Sequence, residues 1–113
     1  MITYNDLHKE LQDYKNAPSK YKPTKEVINT AKKALKLLEI HHFKVPSIML
    51  SEMTGVGLFW KTKEHYMELS IDTTDVFTYF TESTGTLKGG DDVPLNKLIE
   101  TINKYDFIKE NKW

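Results

Sequence analysis

Two segments near the start of the chain place apolar residues at helical spacing. In residues 3–15 the apolar positions recur every three or four residues: Tyr4, Leu7, Leu11 and Tyr14. Thr3 precedes them and has capping-box spacing to Asp6. In residues 24–40, which Thr24 opens as an N-cap, the apolar positions form one continuous stripe: Val27, Ile28, Ala31, Ala34, Leu35 and Leu38. We therefore predict two amphipathic helices.

After Pro46 the hydrophobic period changes from 3.6 to 2. Val56, Leu58 and Trp60 alternate with Gly57 and Phe59, and similar alternation recurs further along the chain. We predict short strands at residues 48–50, 56–60, 67–71 and 76–81, joined by tight turns into an antiparallel meander.

The stretch Glu82–Asp92 contains three glycines and adjacent acids, and it predicts a loop that could hold one more short strand. Asp92 and Pro94 then open a predicted C-terminal helix with an apolar face: Leu95, Leu98, Ile99 and Ile102. Near Tyr105–Phe107 this helix is predicted to end in a short tail that closes on Trp113.

The order of elements is helix, helix, antiparallel sheet, helix, which predicts an α+β fold with a three- to four-stranded sheet. One face of that sheet is apolar and must be covered, and the helix stripes are the available cover. We therefore expect a two-layer sandwich. At 113 residues the chain is the usual size of one domain, so residues 1–113 are predicted to fold as a single unit.

The amino-acid composition limits the cellular compartment and the kinds of site that we expect for this chain. The chain has no cysteine, which excludes disulfides and thiolate zinc sites. It also has no apolar run near the roughly 20 residues that span a bilayer, and its first residues lack the pattern of a signal peptide. We expect a cytoplasmic protein with no membrane partner.

Charge is balanced overall but divided along the chain. Residues 1–44 carry a net charge of +4 and residues 45–113 a net charge of −4, and every basic residue is lysine. The absence of arginine, the preferred side chain for bidentate recognition of guanine, disfavours sequence-specific DNA binding. Phosphate binding by lysines on the second helix is retained as an alternative: Lys25, Lys32, Lys33 and Lys36.

No motif for catalysis, metals or cofactors is recognisable. The histidines lack the spacing of a metal site, and solvated or capping roles are expected for them: His8, His41, His42 and His65. The carboxylates near the meander are expected to form a hydrated rim: Glu52, Glu64, Glu68, Asp72, Asp75 and Glu82. Glycines at 55–57 and 85–90 lack the context of nucleotide-binding loops. We predict no catalytic residue, no metal and no cofactor, and keep a carboxylate enzyme as an alternative.

The predicted strands carry more aromatic residues than one core face needs. In the strand at 76–81, Phe77 and Tyr79 share one face, while Val76 and Phe80 take the other. One interpretation is that the surplus rings are covered by the terminal helices or the tail. The other is a protein–protein interface, for which we predict this contact surface: Phe59, Tyr66, Phe77, Tyr79, Glu64, Glu68 and Asp75.

Four features follow one another between residues 14 and 71. They are a proline before an amphipathic helix, a Pro-x-Ile element, a glycine-led strand ending in Leu-x-Trp, and a Leu-x-Ile strand, which correspond to Pro23, Pro46–Ile48, Gly55–Trp60 and Leu69–Ile71. In these features the chain resembles a family of small bacterial and phage-borne proteins that has no established activity. The family's usual tryptophan-glycine dipeptide before the first proline is replaced by residues 13–16, and the C-terminal helix looks like an extension.

The resemblance implies the helix-then-meander fold and no catalytic residues, and it places such proteins among mobile elements and toxin–antitoxin neighbourhoods. Together with the small size and the surplus aromatics, it suggests a non-enzymatic module that binds and inhibits a partner protein. Such a module would act as an antitoxin does, or as an inhibitor of a host defence system such as CRISPR. An exposed sheet edge or aromatic face could also support a homodimer.

Overall fold

The computed structural model describes residues 1–17, 22–50 and 55–110. It has an α+β fold, as predicted. Its helices and strands, in chain order, are α1 (Tyr4–Asp13), α2 (Lys25–Ile40), β1 (Ser47–Leu50), β2 (Val56–Lys61), β3 (His65–Ile71), β4 (Val76–Ser83), β5 (Thr86–Pro94) and α3 (Leu98–Ile102). Short 3-10 turns occur at Tyr14–Asn16, Leu95–Lys97 and Asp106–Ile108.

The two N-terminal helices begin where their caps predict. The backbone N–H of Asp6 donates to the Thr3 hydroxyl, and the Thr3 N–H donates to the Asp6 carboxylate, so the predicted capping box is formed. At α2 the Thr24 hydroxyl accepts from the Val27 N–H at 3.2 Å. These bonds satisfy backbone donors that have no partner within the helix.

The sheet has five antiparallel strands in the order β1-β2-β3-β4-β5, one strand or more beyond the prediction. The additional strand is β5, which occupies the segment predicted mainly as a loop. Thr84 (φ 48°) and Gly85 (φ 83°) form a two-residue turn between the paired Ser83 and Thr86. A β-carbon on Gly89 would lie 2.6 Å from the carbonyl oxygen of Tyr79, so this glycine permits close strand pairing.

The predicted helix start at Asp92 is corrected by the structure. Asp92 lies within β5 and has φ 51°, next to an irregularity where the pairing with β4 shifts between Phe77 and Tyr79. Because two β5 residues face a single β4 residue there, the segment has the form of a β-bulge. The chain then passes through the 3-10 turn at Leu95–Lys97, and α3 starts at Leu98.

The core contains apolar side chains from the helices and from the sheet. The sheet contributes alternate residues of β2 and β3, all at most 6% exposed: Val56, Leu58, Trp60, Met67, Leu69 and Ile71. The helices contribute the stripes predicted for them, including Leu11, Leu35, Leu98 and Ile102. Burial of these side chains supplies the main driving force for folding.

One backbone position, Lys44, connects the helices, the sheet and the C-terminal segment. Its carbonyl oxygen accepts from the Tyr4 hydroxyl at 3.0 Å and from the Trp60 indole N–H at 2.9 Å. Its N–H donates to the carbonyl of Ile108 at 2.8 Å. The Tyr4 hydroxyl also lies 2.9 Å from the carbonyl of Phe43, in a buried position. The link between α2 and β1 is thereby fixed to three other parts of the chain.

Two expectations fall wholly or partly outside the described residues. These are most of the predicted turn before Gly55 and the predicted tail that ends at Trp113. Glu52, one of the carboxylates considered above, belongs to the same group.

We predict that Tyr4→Phe lowers the free energy of unfolding by about 1–3 kcal/mol, because the buried carbonyl of Phe43 loses its donor. Tyr14→Phe is the matched control. Its hydroxyl donates to the exposed carboxylate of Glu10, so its removal should change the free energy by less than about 0.5 kcal/mol. Urea denaturation of both variants measures the difference, and equal effects would contradict the role given to Lys44 and Phe43.

Candidate functional site

The two faces of the sheet carry different side chains. Across β2, β3 and β4 the pairs Phe59–Glu68 and Glu68–Phe80 place these three side chains side by side. They alternate with the buried residues Leu58 and Leu69, and therefore point to the face away from the core.

Three aromatic side chains form a cluster on this face, which we call the aromatic patch: Phe59, Tyr66 and Phe80. The ring centroid of Tyr66 lies 6.3 Å from that of Phe59 and 6.3 Å from that of Phe80. Phe80 is 41% exposed, and the neighbouring Met49 and Leu87 are 38% and 61% exposed. An apolar surface of this kind on a folded chain is typical of an interaction site.

Glu68 places a carboxylate at the centre of the aromatic patch. One carboxylate oxygen accepts from the Tyr66 hydroxyl at 2.7 Å, and the other accepts from the Ser70 hydroxyl at 2.9 Å. Partial burial, followed by the hydrogen bond to Glu68 and the charge of Glu68, raises the pKa of Tyr66 to about 12. Because these two bonds hold the carboxylate among the rings, its charge has a defined position.

The structure separates Phe77 and Tyr79 from the predicted contact surface. Phe77 is 2% exposed and belongs to the core, and Tyr79 is half-buried on the same face with its ring centroid 6.3 Å from that of Phe77. The Tyr79 ring lies over Gly90, where a β-carbon would be 2.8 Å from its Cε1. The prediction that these two share a face is confirmed, but that face is the one that holds the core.

The predicted acids also lie in different places. Glu68 is within the aromatic patch, whereas Glu64 is exposed in the turn between β2 and β3. Asp75 lies before β4, where its carboxylate contacts the Lys33 ammonium at 3.0 Å. One member of the patch, Phe80, and two of its neighbours, Met49 and Leu87, were not among the predicted contact residues. Strand alternation had already placed Phe80 and Phe77 on different faces of the strand. This pattern was the signal that could have identified Phe80.

The four lysines proposed for phosphate binding have different surroundings in the structure. Lys32 donates to the side chain of Gln12 on α1, and Lys33 is paired with Asp75. Lys25 is exposed at the start of α2, and Lys36 lines a groove described below. Two of the four ammonium groups therefore already have protein partners.

Histidines and carboxylates do not converge in the described part of the chain. Within residues 1–17, 22–50 and 55–110, no three His, Asp or Glu side chains come together in a manner that could hold a metal ion. The ring of His65 stacks on Phe107 at a centroid distance of 4.9 Å, and its Nδ1 lies 2.6 Å from the Ser83 hydroxyl. Its ring is thus engaged in packing and one hydrogen bond.

Two further findings bear on the chain as a whole. None of the helices in the described residues is long and apolar enough to cross a membrane. No family model, no curated protein and no solved structure matches the chain.

Phe77→Ala and Phe80→Ala form a matched pair that tests the two faces of β4. We expect Phe77→Ala to lower the free energy of unfolding by about 3–5 kcal/mol, since it leaves a cavity in the core. Phe80→Ala should cost about 1 kcal/mol or less, because it removes only contacts on the exposed face. Urea denaturation provides both values, and a reversed order would show that the faces are wrongly assigned.

Glu68→Gln should bring the pKa of Tyr66 down towards 10.0, since it removes the charge that opposes ionisation. In the parent chain the folded-state pKa is raised, so the neutral hydroxyl contributes stability below pH 10 that is lost as pH rises through about 12. NMR titration of the Tyr66 ring carbons measures this pKa directly. Ser70→Ala, which leaves the Tyr66–Glu68 bond in place, is the control and should produce a smaller change.

Proposed function

We propose that this chain is a non-enzymatic protein-binding module whose helices form one layer over one face of the sheet, while the aromatic patch on the other face binds a partner protein. The observation that supports this most directly is the cluster of Phe59, Tyr66 and Phe80 on the face away from the core. Tyrosine and phenylalanine are enriched in the centres of protein interfaces, where they bury large areas at low entropic cost.

The shape of this face favours a macromolecular partner over a small substrate. The patch is carried by three adjacent strands, so its side chains stand on a rigid and continuous surface. Backbone hydrogen bonds hold these strands in register, and little conformational entropy remains to be lost there on binding.

The charges on this face indicate the chemistry of the partner. Tyr66 on β3 is paired with Lys61 on β2 and with Glu82 on β4. Two residues further along β3, Glu68 is paired with Phe59 on β2 and with Phe80 on β4. The carboxylate of Glu68 retains lone pairs after accepting one hydrogen bond at each oxygen. A complementary surface would be apolar at its centre and carry an arginine or lysine directed at Glu68.

The resemblance to phage-borne proteins extends the proposal to inhibition. A module of 113 residues that covers a functional surface of a larger protein blocks that surface by steric exclusion and needs no chemistry of its own. The partner would be a toxin or a component of a host defence system, and the module would act in the same compartment, the cytoplasm.

The test is affinity capture from a lysate of the native host with matched variants on the beads. We expect Phe59→Ala combined with Phe80→Ala to weaken capture of the partner at least about ten-fold, as for interface hot spots. Glu68→Gln should weaken it as well. Lys25→Gln, at an exposed position on α2, is the control and should leave capture unchanged.

The outcomes distinguish the alternatives. A protein retained equally by the aromatic variants, or capture of a second copy of this chain alone, would contradict the proposal. Capture of nucleic acid that falls steeply with salt and with loss of the α2 lysines would favour the phosphate-binding alternative. If the captured protein has an assay, added wild-type chain should reduce its activity and the aromatic double variant should not.

A further inference from the structure

A groove that includes no residue of the aromatic patch lies beside the second half of α2. It has a volume of about 550 Å³ and is bounded by α2, by the turn before β4, and by the end of β5 with the residues that follow it. Its lining residues come from these three segments: Lys33, Lys36, Leu37, Asp75, Pro94, Leu95 and Asn96. Sites for small organic ligands commonly have volumes of roughly 300–1,000 Å³.

Hydrogen bonds made by the backbone of Asp75 fix the three walls of this groove relative to one another. The N–H of Asp75 donates to the hydroxyl of Thr30, a buried α2 residue, at 3.0 Å. The carbonyl of Asp75 accepts from the N–H of Leu95 at 2.8 Å. Asp75 therefore joins α2 to the segment after β5, and the groove exists without a ligand. Preformed sites lose less entropy when a ligand binds.

The floor of the groove is apolar. Leu95 is 7% exposed and Leu37 is half-buried. Pro94 adds an apolar ring and has no backbone N–H that needs hydration. Such a surface favours a ligand with a hydrocarbon chain or ring, since each methylene group removed from water contributes about 0.8 kcal/mol.

The rim of the groove has one positive charge in excess. Lys33 is paired with Asp75 at 3.0 Å, which leaves Lys36 one helical turn further along α2. Among the described residues Lys36 has no acidic partner. The amide of Asn96 adds a neutral hydrogen-bonding group on the other wall.

We propose that this groove binds a small apolar monocarboxylate, such as a medium-chain fatty acid. The hydrocarbon chain lies on Leu37, Pro94 and Leu95, and the carboxylate lies at the rim beside Lys36. This site is separate from the aromatic patch, so its occupancy and the binding of a protein partner are measured independently.

The experiment compares two ligands that differ in charge. Octanoate and octan-1-ol are titrated into the ¹⁵N-labelled full chain, and amide chemical shifts are followed. We expect both to shift the amides of Leu37, Leu95 and Asn96, with octanoate about two- to five-fold tighter, in the range of an exposed ion pair. Lys36→Gln should abolish this difference and leave the octan-1-ol affinity unchanged.

Lys25→Gln is the matched control, since it removes a lysine charge from the same helix at a position outside the groove, and it should change neither affinity. The proposal is overturned if neither ligand shifts the groove amides up to its solubility limit. It is also overturned if octanoate and octan-1-ol bind equally, or if the largest shifts occur at Phe59 and Phe80. A thermal melt of Lys36→Gln that matches the parent chain shows that the exposed substitution has not altered the fold.

Discussion

The carbonyl group of Lys44 is the point on which the arrangement of helices and sheet depends. A carbonyl oxygen has two lone pairs, and here one faces the hydroxyl of Tyr4 on α1 and the other the indole N–H of Trp60 on β2. These donors come from residues far apart in the chain, so the two bonds set the position of α1 against the sheet. The adjacent N–H holds the C-terminal segment through Ile108. Apolar burial alone would leave this orientation less specified, since it is non-directional.

The two faces of the sheet differ in composition and burial, and β3 shows this most clearly. Its residues Met67, Leu69 and Ile71 are almost completely buried, whereas Tyr66, Glu68 and Ser70 between them form a hydrogen-bonded row on the other face. From Met67 onward the buried face of this strand is entirely apolar. The other face combines the aromatic rings of Tyr66 and its neighbours with the carboxylate of Glu68.

Much of the fold was predictable because its signals are local. Thr3, Asp6 and Thr24 mark helix starts through side-chain bonds to residues three positions away, and the change to a period of two identifies β2 and β3. β5 was only partly predictable, because Gly89 and Gly90 indicate a loop when read alone. Glycine is needed at both positions because a β-carbon there would approach Tyr79 of β4 too closely. This contact is known only once β4 and β5 are paired.

The candidate site was less predictable than the fold, for a related reason. Alternation divides the residues of β4 into two groups, but both groups contain aromatics, so the pattern cannot show which group is buried. Phe77 was therefore placed in the contact surface, and Phe80 was not. No pattern in the sequence indicated the groove. Lys33 and Asp75, which meet at its rim, are 42 residues apart in the chain, and each was interpreted as part of a different surface.

The strand order of the sheet has a consequence for how quickly the protein folds. Each strand pairs only with strands that precede or follow it directly in the chain. Closing short connections between such neighbours costs little entropy, and chains dominated by local pairings cross their folding barrier faster than those built from distant ones. The bonds to Lys44 span much longer separations. The pairings of the meander therefore carry a lower entropic cost of loop closure than the bonds that join α1 and the C-terminal segment to Lys44.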